Sequence, residues 1–87
     1  MKAIELQEAG GVENFQYVET KKPSIKSNEV LIKTKSISVN PVDFKVRADD
    51  GLLSMINGTH RPVIVGWDVA GEIVEVGNEV SKFKIGD

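Results

Sequence analysis

The segment that most constrains the fold is residues 66–87, Gly-Trp-Asp-Val-Ala-Gly-Glu-Ile-Val-Glu-Val-Gly-Asn-Glu-Val-Ser-Lys-Phe-Lys-Ile-Gly-Asp. In this segment, small residues lead into a predicted strand of alternating apolar and polar residues, and a glycine forms the turn that follows the strand. A second short apolar alternation follows at Val80, Phe83 and Ile85. The final Gly-Asp pair is typical of a turn that leads into another strand. We therefore expect a β-rich fold, and a chain that is the front part of something larger.

Strands are also predicted earlier in the chain. Alternating residues indicate a first strand at 2–7, and an aromatic and β-branched cluster indicates a weaker one at 15–18. Residues 29–39 are rich in β-branched side chains and predict a longer strand. Nearly continuous apolar residues at 70–77 predict a strand covered on both sides. The glycines at 66, 71, 77 and 86 fit the bends of a small, strongly curved barrel.

The pattern becomes helical at Asn40-Pro41-Val42-Asp43. Asn is a good N-cap, Pro is favoured at the first helical position, and Asp at the third can accept from the cap amide. A short helix is predicted over residues 41–47. Residues 52–61 have no clean period, and Asn57-Gly58 indicates a turn, so this stretch is predicted to be a loop with room for one helical turn.

Composition limits the classes of function. The 87 residues suit one small domain, and a net charge of −2 with scattered Lys and Arg argues against nucleic-acid binding. The absence of cysteine excludes disulfides and thiolate metal sites within these residues. No apolar stretch approaches the roughly 20 residues needed to cross a bilayer. The first residues include acids where a signal peptide has its apolar run, so a soluble cytoplasmic protein with no membrane partner is expected.

Three segments resemble one known family when they are taken together. They are residues 38–43 (Ser-Val-Asn-Pro-Val-Asp), residues 66–71 (Gly-Trp-Asp-Val-Ala-Gly), and Val-Gly at 76–77 with Phe-Lys-Ile-Gly-Asp at 83–87. They resemble the start of the GroES-like catalytic domain in the medium-chain dehydrogenase/reductase superfamily. The resemblance is strongest to its zinc-independent branch of quinone oxidoreductases and zinc-type alcohol dehydrogenase-like proteins, and it spans nearly the whole chain.

The resemblance implies a mainly β fold, a partial GroES-like small β-barrel with one short helix near residues 41–47. It implies that residues 1–87 are the N-terminal part of a catalytic domain. The Rossmann domain that binds NADPH or NADH in the family is absent, because no Gly-x-Gly-x-x-Gly motif opens a helix after a strand. It further implies a small carbonyl or quinone substrate and a homo-oligomeric full-length enzyme. The 87 residues alone are not expected to be active. A barrel cut short would also leave unpaired strand edges, so the chain is expected either to associate with another chain or to have frayed last residues.

The resemblance also bears on metal binding. In the zinc-dependent relatives, the position matching Asn40 is a cysteine ligand, that matching Trp67 is a histidine ligand, and that matching Asp68 is a nearby glutamate. Zinc in proteins is bound by Cys, His or carboxylate groups. An Asn amide is a poor ligand and the Trp indole only donates a hydrogen bond. Asp68 cannot build a site alone, so no metal is predicted.

Candidate site residues follow from the same resemblance, each with a plainer alternative. Asn40 is predicted to contact the nicotinamide or the substrate carbonyl, or to be only the helix cap. Asp43 orients that pocket, or only completes the cap. Lys45 is predicted to contact the cofactor, or, with Arg47, to be solvated near the helix C-terminus.

Trp67 and Asp68 are predicted to line the substrate cleft. The alternative for Trp67 is a place in the core, which is usual for a lone Trp beside a buried strand. For the whole chain, the alternative to an oxidoreductase is a free-standing GroES-like β-barrel that binds without catalysis, because fold alone does not fix function.

Overall fold

The computed structural model describes residues 1–87 and divides into two compact units. The first unit comprises Met1–Lys21 and Val39–Trp67, and the second comprises Lys22–Ser38 and Asp68–Asp87. In chain order the elements are β1 (Lys2–Leu6), β2 (Phe15–Glu19), β3 (Val30–Ser36), α1 (Pro41–Ala48), α2 (Asp50–Asn57) and β4 (Ala70–Val76). Neither helix is long and apolar enough to cross a membrane. The predicted mainly β class is confirmed, with two short helices rather than one.

In the first unit, β1 and β2 form an antiparallel hairpin. Their register pairs Lys2 with Glu19 at one end and Leu6 with Phe15 at the other. The Met1 ammonium group donates to the Thr20 carbonyl at 2.7 Å and closes the open end of the hairpin. The two strands predicted at 2–7 and 15–18 are therefore confirmed.

The core of the first unit is a cluster of four buried aliphatic side chains, Leu6, Val46, Leu53 and Val63. Leu6 and Val63 also form an isolated antiparallel bridge, in which each backbone N–H donates to the other's carbonyl, at 2.8 and 2.9 Å. Because the four residues come from β1, α1, α2 and the segment after α2, one cluster holds these elements together. Burial of each such side chain contributes about 1.5–3 kcal/mol.

The predicted loop over residues 52–61 is wrong for its first half, which is helical. The Asp49 side chain accepts a hydrogen bond from the Leu52 N–H at 3.1 Å, so Asp49 ends α1 and caps α2. Gly58, at a φ of 61°, ends the helix. A helix of eight residues is marginal by itself and needs tertiary packing. The burial of Leu53 supplies that packing. The local sequence pattern does not indicate this burial, because it depends on residues distant in sequence.

In the second unit, β3 and β4 form an antiparallel pair with shifts of register between Leu31 and Ile32 and between Thr34 and Ser36. The strand predicted over 29–39 ends earlier, at Ser36, whereas the strand predicted at 70–77 is confirmed. Of the β4 residues only Ile73 is buried, so the expectation of cover on both sides is wrong for this chain. Two strands cannot cover both faces of each other, and neither sheet closes into a barrel within these residues.

The last residues of the second unit are attached to β4. The Ile73 N–H donates to the Asp87 carbonyl at 2.8 Å, and the Gly86 N–H donates to the Ile73 carbonyl at 2.9 Å. The predicted fraying at this end is therefore wrong. The apolar alternation at Val80, Phe83 and Ile85 does not form a strand. By contrast β3 pairs only with β4, so the predicted open edge is present along its other side.

The backbone of β3 comes close to β4 at Gly71. A Cβ atom at this position would overlap the Lys33 carbonyl oxygen and the Ile32 side chain, closer than van der Waals contact allows. We expect Gly71→Ala to lower the free energy of unfolding by about 1–3 kcal/mol, because backbone must move to admit the methyl group. Urea unfolding measures the change. Glu72→Ala, at an exposed neighbouring position, is the control and should change stability by less than about 0.5 kcal/mol. Equal stability of the two variants would contradict the close approach.

Candidate functional site

The candidate site is centred on Asn40, at the start of α1. Asn40 has extended backbone angles (φ −128°, ψ 160°) and is followed by Pro41 at the first helical position. Its backbone N–H donates to the Asp43 Oδ2 atom at 2.8 Å, and the two residues form a capping box. The predicted cap is therefore confirmed. The backbone N–H of Asn40 is thus held by a side chain of the helix that follows it.

The two oxygen atoms of the Asp43 carboxylate have different surroundings. Its Oδ2 atom accepts from Asn40, whereas its Oδ1 atom is buried and has no hydrogen-bond partner within these residues. Buried polar atoms are nearly always paired in folded proteins. The Asp43 carboxylate is held by the backbone N–H of Asn40, and the two residues form one structural unit through their capping box.

Asn40 has a side chain that can serve two partners. A carboxamide carries an oxygen that accepts and a nitrogen that donates. Capping uses an acceptor, because the free groups at a helix start are N–H groups. The cap and a contact to a carbonyl oxygen therefore use different atoms of Asn40 and are chemically compatible.

Apolar side chains are exposed around this polar centre. Val39 precedes Asn40 and is exposed, and Val42 and Phe44 on α1 are exposed as well. Small-molecule sites are typically apolar with a few well-placed polar groups. The sequence pattern does not single out Val42 or Phe44 as functional candidates. Their exposure becomes clear only from the three-dimensional core, to which α1 contributes Val46.

The two basic residues near the end of α1 differ. The Arg47 Nε atom donates to the Gly10 carbonyl at 3.1 Å, and the Gly10 N–H donates to the Arg47 carbonyl at 2.9 Å. Arg47 thus ties α1 to the loop between β1 and β2, so the prediction that it is solvated is wrong. Lys45 is exposed on the same helix. Its proposed contact with cofactor remains a prediction.

Trp67 and Asp68 lie in different units, Trp67 at the end of the first and Asp68 at the start of the second. Trp67 is 47% exposed, so the core interpretation is wrong within these residues. The core of the first unit consists of four aliphatic side chains and does not include Trp67. Asp68 is exposed as well. The placement of both residues in a substrate cleft stays a prediction.

The chain assembles no metal site of its own. No three His, Cys, Asp or Glu residues are grouped so that they could hold an ion. The single histidine, His60, is exposed, beside an Arg61 side chain that donates to the Gly58 and His60 carbonyls at 3.1 and 2.8 Å. A surface cleft of about 330 Å³ lies in the second unit between Asn28 and Phe83. None of the predicted site residues lines it.

Comparison with known proteins gives consistent relatives. The chain is 40% identical over 78 residues to a chloroplastic quinone-oxidoreductase homolog from Spinacia oleracea, covering 90% of this chain and 23% of that protein. The structure of the quinone oxidoreductase from Coxiella burnetii matches with a TM-score of 0.89 and 34% identity, covering 100% of this chain and 27% of that one. An Escherichia coli quinone oxidoreductase complexed with NADPH matches with a TM-score of 0.85 and 29% identity, covering 100% of this chain and 25% of that one.

The matches cover this chain almost completely and their own proteins only in part. The chain spans about a quarter of the length of these relatives. Residues 26–87 match the Alcohol dehydrogenase GroES-like domain. With the family match, the shared fold and the motifs around Asn40 and Trp67, the chain belongs to the alcohol dehydrogenase GroES-like domain family of the medium-chain dehydrogenase/reductase superfamily.

Proposed function

We propose that this chain forms the start of the catalytic domain of an NAD(P)H-dependent oxidoreductase that reduces quinones or α,β-unsaturated carbonyl compounds without zinc. The observation that carries the proposal is the rigid placement of Asn40 by Asp43, at 2.8 Å, where zinc-dependent relatives have a ligand. The similar proteins named as quinone oxidoreductases, one of them complexed with NADPH, support the substrate class and the cofactor.

The residues present do not fit zinc. The positions that matter hold an amide (Asn40) and an indole (Trp67), and neither is a normal zinc donor. Zinc sites in proteins need three or four such donors, and this chain gathers no three. No step of the proposed reaction therefore involves a metal ion.

The residues do fit a nicotinamide and a carbonyl substrate. Val42 and Phe44 are exposed apolar side chains on the helix that Asn40 begins, and small-molecule sites are typically apolar with a few polar groups. When bound, the nicotinamide supplies the hydride. Asn40 is proposed to donate a hydrogen bond from its side-chain nitrogen to the carbonyl oxygen, on which negative charge develops. Lys45 is proposed to approach the cofactor from α1, and Trp67 and Asp68 to line the cleft.

Asp43 and Pro41 give Asn40 the fixed position that such a role requires. The proline ring fixes the backbone at the first helical residue, and the Asp43 carboxylate holds the Asn40 N–H. A donor that is already oriented costs no reorganisation when charge develops. The helix cap is thus part of the proposed catalytic arrangement.

Location and assembly belong to the same proposal. We propose a cytoplasmic location and, from the resemblance to the family, a homo-oligomeric full-length protein. The 87 residues alone are not expected to turn over substrate, because the family's nucleotide-binding motif is outside them.

The role of Asn40 is tested in a chimera in which these residues replace the matching quarter of the Coxiella burnetii protein. Asn40→Asp keeps an oxygen that caps the helix but removes the donating nitrogen. We expect it to lower kcat for NADPH-dependent quinone reduction about 10²–10³-fold, as for loss of one donor to a developing oxyanion. Its melting temperature should stay close to that of the parent chimera.

Asn40→Ala is the matched variant, because it removes the cap as well as the donor. It should lose the same activity and, in addition, about 1 kcal/mol of stability. A parent chimera that reduces quinones while Asn40→Asp retains full kcat would reduce Asn40 to a helix cap. A parent chimera without any quinone reduction would contradict the proposed function itself.

Independence from zinc is tested on the same chimera. We expect an excess of a strong chelator to leave kcat unchanged, since the residues at 40, 67 and 68 do not supply a zinc donor set. Calorimetric titration of the 87-residue chain with Zn²⁺ should show no stoichiometric binding. Tight binding at one ion per chain, lost in Asp68→Asn, would contradict the zinc-free assignment.

A further inference from the structure

The end of α2 carries a chemically labile pair, Asn57-Gly58. We propose that Asn57 is a site of spontaneous deamidation whose rate is controlled by the last turn of α2. Asn is a thermolabile residue type, and a following glycine leaves the attacking backbone nitrogen unshielded. The structure agrees with this exposure, because nothing lies within 4 Å of the position that a Gly58 Cβ would occupy.

The reaction needs no enzyme and no redox partner. The Gly58 backbone nitrogen attacks the side-chain carbonyl carbon of Asn57 and forms a five-membered succinimide. The side-chain nitrogen leaves as ammonia, taking the proton lost from the Gly58 nitrogen. One water then opens the ring at either carbonyl and leaves an aspartyl or isoaspartyl residue. One water is consumed and one ammonia is released.

The folded helix opposes the first step in two ways. The Gly58 N–H donates to the Ser54 carbonyl at 2.7 Å, so the nucleophile is occupied. Asn57 is the last residue of α2, and a helical side chain tilts toward the N-terminus of its helix. This helical geometry differs from the five-membered ring that the attack must close. Attack requires the last turn of α2 to open.

The product favours the open turn. Conversion adds a negative charge at the C-terminal end of α2, where the helix dipole already places partial negative charge. Isoaspartate also lengthens the backbone by one carbon. Each modified chain therefore holds α2 less firmly, although Leu53 still anchors the helix in the core of the first unit. The fraction of chains deamidated at Asn57 therefore increases with the time that the last turn of α2 has spent open.

Peptide mass spectrometry of the protein, aged at mildly alkaline pH in native buffer and in urea, tests the proposal. Asn78, which is followed by Glu79, is the internal reference. In urea, position 57 should deamidate faster than position 78. In native buffer, a closed turn worth about 1.4 kcal/mol slows position 57 about tenfold relative to urea.

Two variants sharpen the result. Leu53→Ala removes the anchor of α2, so its native rate at position 57 should approach the rate in urea, whether the variant folds or not. Asn57→Asp should melt below Asn57→Gln, which keeps a neutral amide. Equal rates at positions 57 and 78 in urea would show that there is no labile site. Equal rates at position 57 in native buffer and urea would show that α2 exerts no control.

Discussion

Four aliphatic side chains from separate segments meet in one buried cluster, and the position of α1 depends on that contact. Leu6 comes from β1, Val46 from α1, Leu53 from α2, and Val63 from the segment that bridges back to β1. Because Val46 is buried, the exposed side of α1 is fixed as well, and with it the start of the helix at Asn40. A polar site at a helix start is only as well placed as the core under that helix. Here the core positions α1, and the capping box then positions Asn40 at the start of α1.

Much of this arrangement could be predicted from local sequence. The strands have β-branched or alternating residues, and the Asn-Pro-x-Asp pattern sets the helix start by short-range hydrogen bonds. What local patterns missed depends on tertiary contacts. The helix α2 forms because Leu53 is buried against residues distant in sequence, and Arg47 is held by the carbonyl of Gly10. The exposure of Trp67 has the same origin, since the core is already filled without it.

The proposed chemistry follows from what replaced the metal donors in this family's fold. In the proposal, an amide and an indole stand at two positions that hold zinc ligands in the zinc-dependent relatives, so no Lewis acid is assigned to the reaction. A hydrogen-bond donor can still stabilise a developing oxyanion, provided that it is positioned precisely before the reaction. The capping box supplies that positioning at Asn40 through a short-range contact within one helical turn. In the proposal, the residue that caps the helix is therefore also the hydrogen-bond donor to the substrate.

The most direct test of this account is a crystal structure of the chimera with NADPH and a quinone analogue bound. The account predicts that the Asn40 side-chain nitrogen lies about 2.7–3.2 Å from the ligand's carbonyl oxygen or the nicotinamide amide, with the Asp43 contact intact. A bound ligand out of reach of Asn40, or a cation held between positions 40 and 67, would contradict it.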